Sequence, residues 1–524
     1  MADSVVPQPE AVAAPAPLPT LSEAYNAAPA YLLAEATVAR DRIAANRTLP
    51  TRHPRTGGLH PPPGMTVDAF LTAVDELRAE LGGDHSLVQV NDAGVDLVDG
   101  WYLDRPATTH DAFHIAAPEA LVSSAVVFPR STADVQVVVR WANRHVVHDN
   151  NDNGNDRERE GDGRHGIPLY PISMGRNLGY GGAAPRVPGG VVLDLGRRMH
   201  AIVDLDGANA SCVVEPGVTY FALYDAVQAL NREMQRQNKA TPPLWIDTPD
   251  LGGGSVLGNA VDRGVGYTPY GDHFAHHCGL EVVLPDGSLL RTGMGALPGP
   301  DGTDNPAWQA FQHSFGPAID GLFSQSSLGI VTRMGVHLMP APPAHQSYCL
   351  TFPRDDDFAA IVEAIRPLAQ QGVLGNVPQL RHVVQELSAA HARHGFDLFP
   401  TLCVAGREMH YIANIVYDRA DGDAKRRAVA LMRELIGACA ARGFGEYRTH
   451  LLFADQVART YSWGGQALLR FHETIKDALD PRGVLAPGRN GVWPRAYRGR
   501  GWELGADDVV LDVIGPRLAA DKKA

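Results

Sequence analysis

The 524-residue chain lacks any run of about 18 apolar residues, and its N-terminus has no basic stretch followed by an apolar one. A membrane-spanning helix and a secretory signal are therefore not expected. We predict a soluble, intracellular protein of the cytoplasm. The C-terminal Asp-Lys-Lys-Ala is no clear peroxisomal signal, although that compartment stays open.

Cysteine is scarce, and the five cysteines show no CxxC spacing. This pattern excludes a disulfide framework and a structural zinc site, and it is typical of a reducing compartment. We expect the cysteines to be small apolar core residues. They are Cys212, Cys278, Cys349, Cys403 and Cys439.

Positive charge is also lacking, since the formal net charge is −13 and no Lys/Arg-rich run occurs. A surface that neutralises phosphate backbones is therefore not expected, and neither is a nucleic-acid partner. The composition, 44% hydrophobic and 20% charged, instead favours two or more globular domains with a sizeable core.

Two segments are predicted to be poorly ordered. Residues 1 to about 20 are Ala/Pro-rich, and Pro61-Pro62-Pro63 is another breaker cluster, which together predict a weakly ordered extension over residues 1–66. Residues 149–164 contain no apolar residue and are predicted to form a solvated loop.

The remaining periodicity predicts a mixed α+β protein. A helix is expected over residues 67–81, ending at Gly82-Gly83, and a strand over 125–128 precedes a helix capped by Ser131 or Thr132. Further strands are predicted at 167–172, 191–195, 211–214 and 280–284, and further helices at 358–368 and 425–441. No internal repeat is evident.

Two glycine-rich segments could approach a pyrophosphate closely with their backbone N–H groups. The first spans residues 173–185, and the second, 247–260, also carries Asp247 and Asp250. Neither is a GxGxxG Rossmann turn or a Walker loop. Taken singly, each could be a tight structural turn, with the two carboxylates capping turns. Two such loops in one domain favour a long cofactor with two phosphates.

Together these loops resemble the vanillyl-alcohol oxidase and p-cresol methylhydroxylase family of flavoenzymes, and its vanillyl-alcohol oxidase branch in particular. The matched stretches extend from about residue 114 through 123–130, 172–186, 213–219, 245–272, 291–297, 315–332, 376–382, 407–410, 447–450 and 486–494. The resemblance implies an α+β fold with a two-subdomain FAD domain (67–340), a cap domain (341–450) and a C-terminal segment that returns to the flavin (451–524).

The resemblance also implies a catalytic site. Tyr180, Tyr447 and Arg448 match the family residues that bind the phenolic oxygen, and Asp250 matches the residue near flavin N5. A free phenol has a pKa near ~10, so a guanidinium with two hydroxyl donors would favour its phenolate. The phenolate could then release a hydride from its benzylic carbon, with Asp250 as the base. A surface Tyr447 and an ion-paired Arg448 are the ordinary alternative.

Other positions match family residues around the cofactor and the substrate. Val265, Thr401 and Ile412 match the cavity lining, although such residues are common in ordinary cores. Arg489 matches a basic position near the cofactor, or is a solvated arginine. The remaining matches to the FAD site are Gly175, Arg176, Asn177, Gly179, Gly181, Gly182, Pro249, Gly253, Gly254, Ser255, Gly258, Asn259, Ile330 and Val331.

The chain departs from the family in its cap. Between His382 and Phe396 the family has a long stretch that this chain lacks, including the histidine bonded covalently to the flavin. His114 matches the residue that helps that attachment, but its partner is missing, so a covalent FAD is not supported. A shortened cap would leave a wetter and wider cavity, and reduced or altered activity is expected.

Several alternatives remain open. Oxygen, reduced to hydrogen peroxide, is the expected acceptor, and a dehydrogenase that uses a cytochrome is the nearest rival. A non-catalytic flavoprotein is a second rival. A metal enzyme built on Asp272, His273, His276 and His277 is a third, although no metal is expected. The family's habit of assembly favours a homo-oligomer.

Overall fold

The computed structural model describes residues 59–91, 121–148, 164–237 without 176, 178, 182 and 183, 241–344, 355–374, 385–405, 408–418 and 421–505, with the short pieces 52–53, 97–98, 115, 350 and 379–380. Most of the predicted extension at 1–66 and of the polar loop at 149–164 lies outside this range, as does Cys349. Cys212, Cys278 and Cys403 are free and buried, as predicted, and Cys439 is partly buried.

The first subdomain packs two amphipathic helices on a four-stranded sheet. Helix α1 begins after Thr66, whose hydroxyl accepts a hydrogen bond from the Ala69 amide, and α2 begins after Ser131, which caps it in the same way. Such a cap contributes about 1 kcal/mol. Both helices confirm the predicted positions. The elements are α1 (Val67–Glu80), β1 (Val88–Val90), β2 (Ala125–Val127), α2 (Thr132–Arg144), β3 (Leu169–Ile172) and β4 (Val191–Asp194).

The sheet of this subdomain has the strand order β1-β2-β4-β3, with β1 antiparallel to β2 and the other pairs parallel. Its helix-covered face forms the largest core, in which Phe70, Leu77, Val138 and Trp141 are completely buried. Because β2, β3 and β4 run parallel, the segments that follow them leave the sheet at one edge. The first glycine-rich segment follows β3 there.

The second subdomain is a five-stranded antiparallel sheet in the order β8-β7-β9-β6-β5, covered by a long helix. A second core lies between α3 and this sheet and contains Leu223, Val227, Leu280 and Met334. The elements are β5 (Ile202–Asp206), β6 (Ser211–Val214), α3 (Tyr220–Arg236), α4 (Val256–Val261), β7 (His277–Val283), β8 (Leu289–Arg291) and β9 (Ile330–His337).

The cap combines helices with a β-hairpin. Helix α7 packs on α6 through Leu431, Leu435 and Ala390. The hairpin pairs β10 with β11, and Gln379–Leu380 adds a short third strand. The elements are α5 (Phe358–Gln370), α6 (Gln385–His394), β10 (Phe399–Ala405), β11 (Glu408–Asn414) and α7 (Gly422–Ala441).

The C-terminal segment returns to the first subdomain through helices α8 (Ala454–Thr460) and α9 (Trp463–Leu479). Leu169 on β3 donates from its amide to the Val484 carbonyl, and the Ala486 amide donates back to Leu169, so this segment extends the sheet. Buried Lys476 donates to the carbonyls of Ser327 and Leu485, at 2.7 and 2.6 Å. These contacts fix the position of the turn that carries Arg489.

The remaining regular structure is short. Two-residue strands pair Arg52–His53 with Leu97–Val98, Val147–His148 with Arg164–His165, and Leu244–Trp245 with Met339–Pro340. Single 3-10 turns lie at His85–Leu87, Gly293–Ala296, Pro300–Gly302, Asp320–Phe323, Asp355–Asp357, Leu451–Phe453 and Arg489–Gly491. Within the described ranges, every helix is too short or too polar to cross a bilayer.

Candidate active site

The two glycine-rich segments lie against each other. A Cβ atom at Gly258, on α4, would stand 2.2 Å from the Ser173 hydroxyl, so the Ser173 side chain packs against α4 only because residue 258 is glycine. Ser255 caps α4 by accepting from the Gly258 amide at 2.8 Å, and it donates to the Pro216 carbonyl at 2.6 Å. Three chain segments therefore meet at the position predicted for the cofactor.

The first segment also packs against the C-terminal part of the chain. Gly181 has φ of 97°, and a Cβ there would stand 2.1 Å from Leu451. Gly175 and Gly179 adopt positive φ as well, at 62° and 78°. Between them, the Asn177 side chain accepts from the Tyr180 amide at 3.2 Å, which fixes the turn that presents the Tyr180 ring.

Beside these loops, charged and ionisable side chains from the two subdomains and the C-terminal segment lie in contact. Arg489 donates to Asp262 at 2.7 Å, and its Nε atom is buried with no partner among the described residues. Asp262 raises the pKa of Arg489, and burial of the guanidinium opposes this effect. Burial raises the pKa of the neighbouring Tyr170. Arg489 is therefore ion-paired rather than solvated, and it keeps one donor for a ligand.

Tyr180, Tyr447 and Arg448 come together from distant parts of the chain. The Arg448 guanidinium lies 4.6 Å from the centre of the Tyr180 ring. Burial alone would lower the pKa of Arg448, but Tyr180, Asp262 and Tyr447 outweigh it and raise the pKa. Gln325 donates to the Tyr447 carbonyl at 2.8 Å and fixes that end of the cluster. A permanent positive charge and two phenolic hydroxyls thus face one place.

Asp250 lies at a second position, held by a tyrosine. The Tyr267 hydroxyl donates to its Oδ2 atom at 2.9 Å. Burial, followed by this hydrogen bond, raises the pKa of Tyr267 far above its ordinary range. The buried thiol of Cys403, on β10 of the cap, is close enough for Asp250 to add to the rise in its pKa that burial causes. The predicted base therefore faces the cap.

The predicted lining residues lie on two elements. Thr401 and Ile412 are direct cross-strand partners on β10 and β11 of the cap, and Ile412 is exposed. Val265 forms an isolated β-bridge with Asp272 on the segment that follows α4. The cap hairpin thus presents Thr401, Ile412 and Cys403 together.

Comparison with known proteins identifies the family of this chain. A model of the FAD binding domain matches residues 163–293, and one of the C-terminal domain of FAD linked oxidases matches residues 356–490. The structure is similar to 4-ethylphenol oxidase from Gulosibacter chungangensis, solved as an isoeugenol complex (31% identity, TM-score 0.70), over 83% of this chain and 99% of that chain. The chain belongs to the p-cresol methylhydroxylase and vanillyl-alcohol oxidase family.

Two further similar proteins align with this chain over nearly their whole length. The chain is 28% identical to the 4-cresol dehydrogenase [hydroxylating] flavoprotein subunit of Pseudomonas putida, over 82% of this chain and 97% of that protein. It matches p-cresol methylhydroxylase with substrate bound at 26% identity and a TM-score of 0.67, over 83% of this chain and 99% of that one. The α+β fold with its FAD domain and cap, predicted from the resemblance, is confirmed.

Family membership also makes the chain an FAD-linked oxidoreductase with FAD as its cofactor. The residues present fit that cofactor, because the glycine-lined junction of Ser173 and Gly258 leaves backbone exposed and the unpartnered Arg489 Nε can meet an anionic or carbonyl oxygen. The alignment with the P. putida protein covers 557 positions but only 82% of these 524 residues, about 430.

Some of the residues predicted to lie in the FAD site have different surroundings in the structure. The Ile330 and Val331 side chains, at the start of β9, are buried in the two subdomain cores, so only their backbone could face FAD. Pro249, Gly253 and Gly254 lie on the turn before α4, and the Gly254 carbonyl accepts from the Tyr220 amide at 3.3 Å. Arg176, Gly182 and His114 lie outside the described residues.

The histidine-rich segment does not gather around one point. Asp272 accepts from the Ala275 amide, His276 stacks on Tyr270 at 3.9 Å, and His277 faces Asp320 at 3.2 Å. Across the described ranges there is no group of three or more His, Cys, Asp or Glu side chains placed to hold a metal ion.

Sequence reasoning did not predict the place of four residues in the site. Tyr267 holds Asp250, Cys403 lies beside it, Asp262 lies between Arg448 and Arg489, and His273 contacts Asp247. Tyr267, Asp262 and His273 all stand within the matched stretch 245–272 or next to it. Their proximity to Asp250 along the chain was the only available signal.

Proposed function

We propose that this protein oxidises para-substituted phenols at the benzylic carbon, in the manner of vanillyl alcohol oxidation. The placement of the Arg448 guanidinium 4.6 Å from the Tyr180 ring, beside Tyr447, carries the proposal. Two hydroxyl donors and one fixed cation are the groups that a phenolate oxygen needs. The phenol-oxidising activities named for two of the similar proteins support the same substrate class.

Substrate activation begins with the phenolic proton. Because Arg448 keeps its charge in this half-buried cluster, it lowers the energy of the phenolate relative to the phenol, whose pKa is near ~10 in water. Burial raises the pKa of Tyr180, and Arg448 opposes the rise. Tyr180 therefore stays protonated and donates its hydrogen to the substrate oxygen.

The electron-rich phenolate then releases a hydride from the benzylic carbon and becomes a p-quinone methide. FAD, when bound, supplies the two-electron acceptor for that hydride at N5. Asp250 takes the proton when water adds to the quinone methide, or when the intermediate loses a proton directly. From an alcohol substrate the product is an aldehyde. Tyr267 orients Asp250 for this task through its 2.9 Å hydrogen bond.

Oxygen is the proposed electron acceptor, with hydrogen peroxide as its product. The similarity to an oxidase of 4-ethylphenol supports this acceptor. The similarity to a flavoprotein subunit named 4-cresol dehydrogenase favours a second candidate, a dehydrogenase that passes electrons to a cytochrome. The shortened cap leads us to expect slower turnover than in full-length relatives. We also propose a homo-oligomer.

The test uses the purified, FAD-loaded chain with vanillyl alcohol, 4-ethylphenol and 4-cresol. Under anaerobic conditions, bleaching of the flavin absorbance by one of these phenols but not by its O-methyl ether is expected, because the ether cannot form a phenolate. Peroxide release under air supports oxygen as acceptor, whereas reduction of added cytochrome without peroxide supports the dehydrogenase. A flavin that none of these phenols reduces would identify a non-catalytic flavoprotein.

A further inference from the structure

A buried histidine lies between the two ends of the second glycine-rich segment. The Nε2 atom of His273 is 2.5 Å from Oδ1 of Asp247, and its Nδ1 atom is 2.5 Å from Oδ1 of Asn259. His273 is 8% exposed, and Asp247 is 7% exposed. One imidazole ring therefore bridges two residues that are twelve positions apart and lie on either side of Asp250.

The partners of the ring determine where its protons are. Oδ2 of Asp247 accepts hydrogen bonds from the Thr268 amide, at 2.7 Å, and from the Thr268 hydroxyl. Oδ1 is thus left to accept from His273 Nε2. The hydroxyl of buried Tyr220 lies 3.0 Å from Nδ1 of His273 and 3.3 Å from Oδ1 of Asn259. Nε2 of His273 therefore donates to Asp247, and Nδ1 is enclosed by Tyr220 and Asn259.

The surrounding backbone leaves no room for another arrangement of the His273, Asp247 and Asn259 side chains. A Cβ at Gly266 would stand 1.4 Å from Oδ1 of Asp247 and 2.8 Å from Nε2 of His273. A Cβ at Gly264 would stand 2.1 Å from Oδ1 of Asn259. The backbone at both glycines is thus pressed against the hydrogen-bonded groups, which excludes water from them.

The segment held in this way carries the proposed site. Asp250 is three residues after Asp247, and Gly258, which touches Ser173, directly precedes Asn259. Tyr220 connects the cluster to the substrate end, because Arg448 is close enough to act on its pKa, which burial and Asp247 raise. If the His273 ring moved, Asp250 and the contact between Gly258 and Ser173 would be displaced together.

We infer that His273 is a positioning residue. Bound between Asp247 and Asn259, it holds the segment 247–259 in the form that places Asp250 at the substrate and the α4 glycines at FAD. This inference rests on the proposed function only for the role of Asp250. The clamp itself is a property of the chain without cofactor.

The first experiment examines the ring in the apoprotein by NMR with ¹⁵N-labelled histidine, with the signals of residue 273 assigned by their loss in His273→Gln. A hydrogen on Nε2, with a one-bond N–H coupling and slow exchange with solvent, is expected because buried Asp247 accepts it. Fast exchange of that hydrogen, or a ring protonated only at Nδ1, would overturn the clamp.

The second experiment compares His273→Phe with the matched control His276→Phe, which preserves the stacking on Tyr270 in the same segment. Removing one partner of a buried hydrogen bond to a carboxylate is expected to lower kcat about tenfold or more. The KM for the phenol should change little, because Arg448 and Tyr180 are intact. The Kd for FAD should rise roughly tenfold, whereas the control should match the wild type.

The conservative variant His273→Gln keeps a single donor and should recover part of the loss. It also replaces His273→Phe if that variant fails to fold. A positioning role is refuted if the folded variant keeps kcat and the Kd for FAD within about threefold of the wild type. If no phenol reduces the wild-type flavin, the proposed function fails, while the NMR result and the Kd for FAD still test the clamp.

Discussion

The Tyr267 hydroxyl donates a 2.9 Å hydrogen bond to Oδ2 of Asp250, and the next residue, Thr268, donates two hydrogen bonds to Asp247. Two consecutive residues thus hold both carboxylates of the segment that precedes α4. Neither carboxylate is a simple turn cap, which was the ordinary reading of these residues in the sequence. The proposed base is therefore held from a separate segment, seventeen residues further along the chain.

Replacing Tyr267 by Phe removes this hydrogen bond without removing the ring. We expect kcat to fall roughly tenfold, because a hydrogen bond to a charged group contributes about 1.5–3 kcal/mol. Steady-state formation of the aldehyde from vanillyl alcohol checks this. Tyr270→Phe, in the same segment, is the control and should behave as the wild type. Equal rates in both variants would contradict a role for Tyr267 in orienting Asp250.

Arg448→Lys tests the phenolate site. Lysine keeps the charge but loses the planar guanidinium that lies over Tyr180. We expect the KM for the phenol to rise roughly tenfold, and to rise most at low pH, where the substrate must be deprotonated in the site. Steady-state kinetics from pH 6 to pH 9 give the measurement, with exposed Arg442→Lys as control. A KM like that of the wild type would place phenolate binding elsewhere.

Glu446, next to this cluster, should make stability depend on pH. Burial raises the pKa of its carboxyl from 4.5 to about 7. Below pH 4.5 both states hold the proton. From there towards pH 7 the unfolded chain loses a proton that the folded chain keeps, so folding becomes less favourable as pH rises.

In Glu446→Gln this loss is absent. The gain in Tm of the variant over the wild type should therefore grow from pH 4.5 to about pH 7 and stay constant above that. Differential scanning calorimetry at several pH values measures the difference. Glu503→Gln, whose carboxylate pairs with Arg459 near the surface, is the control. Parallel Tm curves for wild type and Glu446→Gln would show that this carboxyl is not buried as described.

The buried Arg186–Asp455 ion pair should be a main support of the C-terminal segment. Its nitrogen-to-oxygen distance is 2.7 Å, both side chains are 1% exposed, and Trp493 donates to the same carboxylate at 2.6 Å. Arg186→Met leaves Asp455 charged without its cation, which costs about 3–5 kcal/mol. Urea unfolding should show this loss, while exposed Arg197→Met should unfold like the wild type. A shift below 1 kcal/mol would contradict it.

FAD is expected to leave the protein on denaturation. The resemblance to the family predicts that the cap stretch carrying the attachment histidine is missing here, and that His114 has no partner for that reaction. After acid precipitation the yellow colour should therefore appear in the supernatant. Colour retained in the washed pellet would establish a covalent bond through another residue.

The sequence by itself determined the local elements and the family. Helix α1 was predicted with its end at Gly82-Gly83 and α2 with its cap, because periodicity and capping depend on residues three or four positions apart. The later helices were predicted less completely. Helix α7 begins at Gly422 rather than at Lys425, and α3 and α9 were not predicted. The residues assigned to phenolate binding came from the resemblance.

Only the tertiary structure decided which distant groups meet. It placed Tyr267 on Asp250, His273 between Asp247 and Asn259, and Asp262 between Arg448 and Arg489. These contacts depend on sheet order, on the fold of the segment around α4 and on the return of the C-terminal segment. No local pattern encodes them, because each pair is brought together by the burial of a whole core rather than by neighbours along the chain.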